Sequence, residues 1–156
     1  KRTGGAAMKK NIEALGDIQY TQEEIDFALE MQRNNGKPQI GIDGKIRSLR
    51  ETLKSPGGGS TDVGDVSYNV PVVSLNATTA PKGVPWHSWS VVASSGMSIG
   101  HKGMLYAAKA LGMTMVDIFK DSRLRDDIKR EFDERIGEYE YDPFLDPGPP
   151  PLDYVD

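Results

Sequence analysis

The spacing of apolar residues predicts a chain built mostly of helices. A capping-box pair, Thr21 and Glu24, precedes an amphipathic run that ends at Asn35-Gly36, which predicts one well-delimited helix. The longest regular pattern runs from Ser98, its expected cap, to Phe119, and its predicted buried face consists of Leu105, Ala108, Leu111, Met115 and Ile118. Further helices are predicted over residues 6–15, 45–53 and 121–136.

Two segments favour strands over helices. The run Val70–Ala77 is β-branched and almost continuously apolar, which is typical of a buried strand in a parallel sheet. Ser90–Ala93 is a weaker strand candidate. The proline- and aspartate-rich residues 141–156 predict an extended arm on a surface. Strand candidates among several helices predict an α/β fold that is helix-rich in this chain.

Composition excludes several classes of site. Nineteen Lys and Arg against 23 Asp and Glu give a net charge of −4, so no basic surface for nucleic acid is expected. Cysteine is absent, which excludes thiolate zinc ligands and cysteine nucleophiles. No apolar run is long enough for a membrane span. Only two histidines, His87 and His101, are available, so a metal site here needs oxygen ligands or a second polypeptide.

The glycine-rich stretch 57–67 leaves three interpretations open. Glycines and hydroxyls can bind phosphate through backbone amides, but the lysine of a P-loop is missing. The sequence favours a simple turn, with Asp62 or Asp65 as the N-cap of a short helix. In the third interpretation, Asp62 points into a site and orients a catalytic or metal-bound group.

His87 is the better candidate for chemistry. It lies in Pro81–Trp89, a loop with two prolines and a glycine that places one imidazole between two tryptophans in sequence. Such a loop suits a metal ligand, whose ring must be fixed by packing and by hydrogen bonds. A purely structural histidine is the alternative. His101, in the first turn of the predicted long helix, is interpreted as structural.

Three blocks in this order resemble a known family. They are Gly59-Ser60-Thr61-Asp62-Val63-Gly64-Asp65-Val66-Ser67, Pro85-Trp86-His87-Ser88-Trp89, and Ser98-Ile99-Gly100-His101-Lys102-Gly103-Met104 running into Ala107-Ala108-Lys109. Together they are similar to the C-terminal part of p-aminobenzoyl-glutamate hydrolase-type amidohydrolases. These are co-catalytic metallopeptidases, related to aminoacylases, glutamate carboxypeptidases and auxin-conjugate hydrolases.

The resemblance implies which residues serve a site. His87 matches the family's last metal ligand, in a centre of two divalent metals, zinc or manganese. Ser60, Thr61 and Asp62 become candidates for lining the substrate pocket. Trp86 and His101 are candidates for structural or outer-shell roles. The family's other ligands and its general base match nothing in this chain, so no catalytic residue is expected here.

The resemblance also implies an organisation and a function. Residues 1–140 would be the C-terminal segment of a catalytic domain with a mostly parallel sheet flanked by helices, without its lid and N-terminal half. Residues 141–156 would be the tail. The chain would be part of a cytoplasmic amidohydrolase for a small N-acyl amino acid such as p-aminobenzoyl-glutamate, inactive alone. It would need the missing N-terminal part or a companion chain, and a homo-oligomer is expected. The alternative is a non-catalytic binding or assembly module that keeps the scaffold.

Overall fold

The computed structural model describes residues 2–49, 61–143, 148 and 149, and within them the chain is helical. These residues contain six helices and no strand. None of the helices they form is long and apolar enough to cross a membrane. The helices are α1 (Arg2–Leu15), α2 (Gln22–Asn34), α3 (Val63–Asn69), α4 (Trp89–Ser95), α5 (Ser98–Lys120) and α6 (Ser122–Ile136).

Helix α2 begins and ends where its sequence predicts. The Thr21 hydroxyl accepts a hydrogen bond from the Glu24 amide at 3.3 Å, and the Glu24 carboxylate accepts one from the Thr21 amide at 2.7 Å. This reciprocal pair satisfies two amides of the first turn, so the predicted capping box is confirmed. At the other end, Gly36 takes a φ of 62°, which glycine adopts at little cost.

Helix α5 packs against α1, α4 and α6. Its residues Gly103 and Ala110 are buried, and the missing side chain of Gly103 lets the backbone of Thr78 approach the helix closely. The buried Asn11 amide of α1 donates to the Thr114 hydroxyl at 3.1 Å and to the Asp117 carboxylate at 2.8 Å. We call this contact the α1–α5 seam. Its buried polar groups are hydrogen-bonded to one another, as burial requires.

Helix α6 closes this core by packing against both α1 and α5. It begins at Asp121, whose carboxylate accepts from the Leu124 amide at 3.1 Å, and it buries Ile128. Further along α6, Glu131 accepts hydrogen bonds from the backbone amides of Arg2 and Thr3 at 2.6 and 2.8 Å. A carboxylate at the first turn of a helix satisfies orphan amides and complements the helix dipole, so Glu131 ties α6 to the start of α1.

The predicted α/β fold with a parallel sheet is wrong for the described residues. Val70–Ala77 forms no strand there, and Ser90–Ala93 lies inside helix α4. An extended segment becomes a strand only when another strand takes up its hydrogen bonds, and the described residues supply none. For Ser90–Ala93, the packing of α4 against α5 overrides the strand preference of its two valines.

Two helix predictions also need correction. Residues 45–49 are not helical, and the rest of the predicted helix over 45–53 lies outside the described residues. In α5 the predicted buried face is the wrong one, since Leu105, Leu111 and Met115 are 54%, 43% and 56% exposed. The helix has apolar residues on both sides, and its small residues make the internal contacts. Periodicity identifies an apolar face, but it does not say which of two faces this chain covers.

Candidate functional site

His87 lies at the exposed end of a short anchored loop. The loop leaves the core at Val84, which is buried, and returns to it at Ser90, which is fully buried. Between them the Ser88 hydroxyl donates to the Pro85 carbonyl at 2.6 Å, closing a turn around His87. His87 has a φ of 59°, and among the described non-glycine residues it alone has a positive φ. This left-handed conformation costs an L-residue about 1 kcal/mol, so the surrounding loop must impose it.

The two tryptophans beside His87 do not pack into the core. Trp86 is 71% exposed and Trp89 is 59% exposed. Trp89 begins α4, whose buried side is formed by Ser90 and Ser94. The loop is therefore held by its ends and its internal hydrogen bond. Its imidazole and its two indoles are presented outward.

His101, the other histidine, lies in the first turn of α5. Its side chain is exposed, and its backbone amide donates to the carbonyl of Met97 at 3.0 Å. Met97 is the N-cap of α5 and Ser98 is its first helical residue, so the prediction of Ser98 as the cap is wrong by one position. The interpretation of His101 as structural stays a prediction.

Of the three pocket candidates, Thr61 and Asp62 lie in the described residues, at the start of α3. Ser60 lies outside these residues. The Thr61 hydroxyl accepts from the Val63 amide at 3.3 Å, and Asp62 is the N-cap of α3 by position, with an exposed side chain that makes no cap hydrogen bond. The short helix predicted after Asp62 is therefore present. Its capping hydrogen bond comes from Thr61.

Helix α3 is tied to the segment after α6. The Tyr141 hydroxyl donates to Asp65 at 2.7 Å, and the ring of Tyr68 lies 5.1 Å from that of Tyr139 and 6.0 Å from that of Tyr141, centroid to centroid. These contacts link α3 with residues 139–141. None of them reaches the His87 loop, so its association with Thr61 and Asp62 stays a prediction.

The described residues supply part of a metal centre at most. In residues 2–49, 61–143, 148 and 149, no group of three His, Cys, Asp or Glu side chains lies close enough to hold a metal ion. His87 fits the requirement for one ligand, since an exposed imidazole can coordinate through either nitrogen. A two-metal centre needs several more ligands than the described residues bring together at any one place.

An ion pair between a buried carboxylate and a half-buried ammonium joins α2 to α5. The Lys102 ammonium donates to the Glu24 carboxylate at 2.6 Å and to the Gln19 carbonyl at 2.9 Å. Burial alone raises the pKa of Glu24, but hydrogen bonds from Lys102, Ser98 and the Thr21 amide outweigh it and lower this pKa to about 2. Because its donors are in place, we assign Glu24 a structural role.

Sequence reasoning missed the residues that hold the His87 loop. Gln32 is completely buried and donates to the carbonyl of Lys82 at 2.9 Å. Asn35 donates to the Ser90 hydroxyl at 2.7 Å. The available signal was a glutamine on the apolar side of α2, since a buried amide must find partners. The pattern does not show that these partners lie about 50 residues further along the chain, at the two ends of the loop.

The chain is similar to one subunit of a curated hydrolase. It is 34% identical over 154 residues to a subunit of the p-aminobenzoyl-glutamate hydrolase of Escherichia coli (strain K12). The similarity covers 83% of this chain and 32% of the relative, so the chain spans about a third of that protein's length. The resemblance drawn from the three sequence blocks is thereby confirmed. No family model matches the chain, and no solved structure matches it.

Proposed function

We propose that this chain is part of a cytoplasmic, metal-dependent amidohydrolase that cleaves the amide bond of p-aminobenzoyl-glutamate or a similar N-acyl amino acid. Similarity to a subunit named for that hydrolysis supports the substrate class. The His87 loop supports the metal, because it is anchored at both ends and holds its histidine in a left-handed conformation. Such backbone conformations concentrate at functional sites, where packing stabilises them.

In this proposal His87 supplies one imidazole ligand to a centre of two divalent metals, zinc or manganese. Bound metals of this kind activate water for attack on an amide carbonyl. The chain's own contribution is to hold the imidazole in place. The loop is anchored by its buried residues Val84 and Ser90, and the hydrogen bond from the Ser88 hydroxyl closes the turn that contains His87. By the resemblance to the family, the remaining ligands and the general base match nothing in this chain. We therefore expect the chain alone to be inactive.

The outer face of α5 supports the need for further polypeptide. This face is formed by Met104, Leu105, Ala108, Leu111, Gly112, Met115, Val116 and Phe119. It continues along about four helical turns, although the inner side of the same helix is buried against α1. Helices that are apolar on both sides belong in the interior of a larger body. We propose that the rest of the enzyme covers the outer face, from the same protein or a companion chain, in a homo-oligomeric assembly.

An assay of the natural assembly tests this proposal. The chain is isolated under native conditions in whatever assembly it forms, and release of p-aminobenzoate and glutamate from p-aminobenzoyl-glutamate is measured with and without a chelator. We expect hydrolysis that the chelator abolishes and that zinc or manganese restores. The 156-residue chain alone is the matched control and should show no hydrolysis. Hydrolysis that is insensitive to the chelator would contradict a metal-dependent enzyme.

A non-catalytic binding or assembly module is the second candidate. It is favoured by the lack of a three-ligand cluster among residues 2–49, 61–143, 148 and 149. The two candidates differ in the composition of the natural assembly. An enzyme must contain a polypeptide with further metal ligands, and its metal must be lost on denaturation. An assembly free of metal that binds p-aminobenzoyl-glutamate without cleaving it would establish the second candidate.

A further inference from the structure

Two side chains at the C-terminal end of α2, Gln32 and the C-cap Asn35, form hydrogen bonds with both ends of the loop that presents His87. Gln32 donates from Nε2 to the carbonyl of Lys82 at 2.9 Å, on the chain segment that leads into the loop. Asn35 donates from Nδ2 to the hydroxyl of Ser90 at 2.7 Å, where the chain leaves the loop and enters α4. Two amides less than one helical turn apart thus hold the segments on either side of His87.

The Gln32 amide has a single orientation that satisfies all its neighbours. Nε2 also donates to the Gly41 carbonyl at 2.8 Å, while Oε1 accepts from the Gly41 amide at 2.8 Å. If the oxygen and the nitrogen were exchanged, Oε1 would face two carbonyl oxygens and Nε2 would face an amide N–H, so all three hydrogen bonds would be lost. Because the side chain is fully buried, water cannot replace these partners. Gln32 therefore fixes the Lys82 carbonyl relative to α2.

Asn35 fixes the other end of the loop in the same way. Its Nδ2 also donates to the carbonyl of Met31 at 2.7 Å, so the side chain is braced against its own helix. Its partner Ser90 is completely buried at the start of α4, where the Ser94 hydroxyl donates to the Ser90 carbonyl at 2.7 Å. The position of the first turn of α4 is thus tied to the C-terminal end of α2.

We propose that Gln32 and Asn35 are positioning residues that set the conformation of His87 for metal ligation. The inference rests on the proposed function, in which His87 is a ligand. A left-handed residue in an exposed loop relaxes unless both ends of the loop are fixed, and these two amides fix them. Groups that orient a ligand without touching the metal typically contribute about 10- to 100-fold in metal affinity.

The first arm of the test measures the anchoring of the loop independently of metal binding. In the 156-residue chain, the backbone order and φ of His87 are measured by NMR relaxation and by the three-bond amide-to-α coupling, for wild type and Asn35→Ala. We expect the variant to lose order at residues 83–88 and the left-handed φ of His87. Asn34→Ala, an exposed neighbour on the same helix, is the matched control and should change neither.

A conservative variant distinguishes the loss of one hydrogen bond to the loop from unfolding of the whole chain. In Asn35→Asp the carboxylate can accept a hydrogen bond from the Ser90 hydroxyl, so the link to α4 is kept with its direction reversed, while the hydrogen bond to the Met31 carbonyl is lost. We therefore expect Asn35→Asp to restore part of the order that Asn35→Ala loses. Gln32→Ala should disorder the loop more strongly, because it leaves three buried partners unpaired. Unchanged order and φ of His87 in both alanine variants would overturn the inference.

The second arm measures metal in the natural assembly. Asn35→Ala should weaken metal binding by about 10-fold or more, with Asn34→Ala unchanged. If the loop loses order while metal affinity stays at the wild-type value, the positioning role is overturned. If His87→Ala also leaves the metal content unchanged, the proposed function fails as well, and Gln32 and Asn35 only anchor the loop. Each failure thus has its own signature.

Discussion

The two sides of helix α5 differ in what covers them. The inner side is lined by Gly103, Ala110 and Thr114. Gly103 lies against the backbone of Thr78, and Thr114 accepts a hydrogen bond from Asn11 at the α1–α5 seam. The outer face carries larger side chains, of which Phe119 is 75% exposed. Small residues with paired polar groups mark a contact completed within this chain. Large apolar residues left exposed indicate a contact that the chain offers to another polypeptide.

Two glycines of α5, Gly103 on the inner side and Gly112 on the outer face, allow the sharpest test of this difference. A methyl group at Gly103 would collide with the backbone carbonyl of Thr78, whereas one at Gly112 would meet open space. We expect Gly103→Ala to lower the free energy of unfolding by about 3 kcal/mol, because backbone must move to admit it. Gly112→Ala should raise it by about 1 kcal/mol, since alanine favours the helix. Denaturant unfolding of both variants checks the signs, and equal effects would contradict the assignment of the two sides.

The ion pair between α2 and α5 predicts a loss of stability in acid. The pKa of Glu24 in the folded chain is about 2, below its ordinary value of 4.5. Its stabilisation is therefore complete above pH 4.5 and is lost as the pH falls towards 2. The loss is on the order of 3 kcal/mol. The free energy of unfolding, measured across this pH range, should depend less steeply on pH in Glu24→Gln than in the wild type. The exposed Glu23→Gln is the control and should match the wild type. Identical pH profiles for all three proteins would refute the role of Glu24.

The polar contact at the seam should also be measurable. Asn11→Ala removes the hydrogen bonds to Thr114 and Asp117 and leaves a small cavity. We expect it to lower the free energy of unfolding by about 2 kcal/mol. Asn34→Ala, at the exposed end of α2, serves as the control and should change it by less than about 0.5 kcal/mol. Equal effects of the two substitutions would mean that the seam gains nothing from this contact.

The smallest effect on folding is expected on the outer face. Phe119→Lys places a charge where the side chain is already mostly exposed, so the free energy of unfolding should change by less than about 0.5 kcal/mol. The same substitution should reduce self-association of the isolated chain and prevent its assembly with the rest of the enzyme. Light scattering and unfolding on one sample check both parts. A large loss of stability would show that Phe119 packs within the chain.

The sequence predicted local features better than long-range ones. The capping box at Thr21 and Glu24 and the helices α1, α2, α5 and α6 follow from residues close together in the chain. The sheet prediction failed because a strand at Val70–Ala77 needs partners that the described residues do not contain. The buried face of α5 was wrong because both of its sides are apolar, and only the position of α1 decides between them.

The candidate site shows the same limit. His87 was singled out from its loop and from the family resemblance, and the structure adds its left-handed backbone and its two anchors. Gln32 and Asn35 could not be assigned from sequence because their partners lie 50 and 55 residues away. Side-chain contacts across such separations depend on how helices pack, which local patterns do not encode.

The metal content of the natural assembly tests the role of His87 most directly. Elemental analysis of the natively isolated protein gives the number of metal ions per chain for wild type, His87→Ala and His101→Ala. Because His87 is proposed as a ligand and His101 is an exposed residue of α5, we expect His87→Ala to lose at least one metal per site and His101→Ala to lose none. Equal metal content in all three proteins would contradict the account.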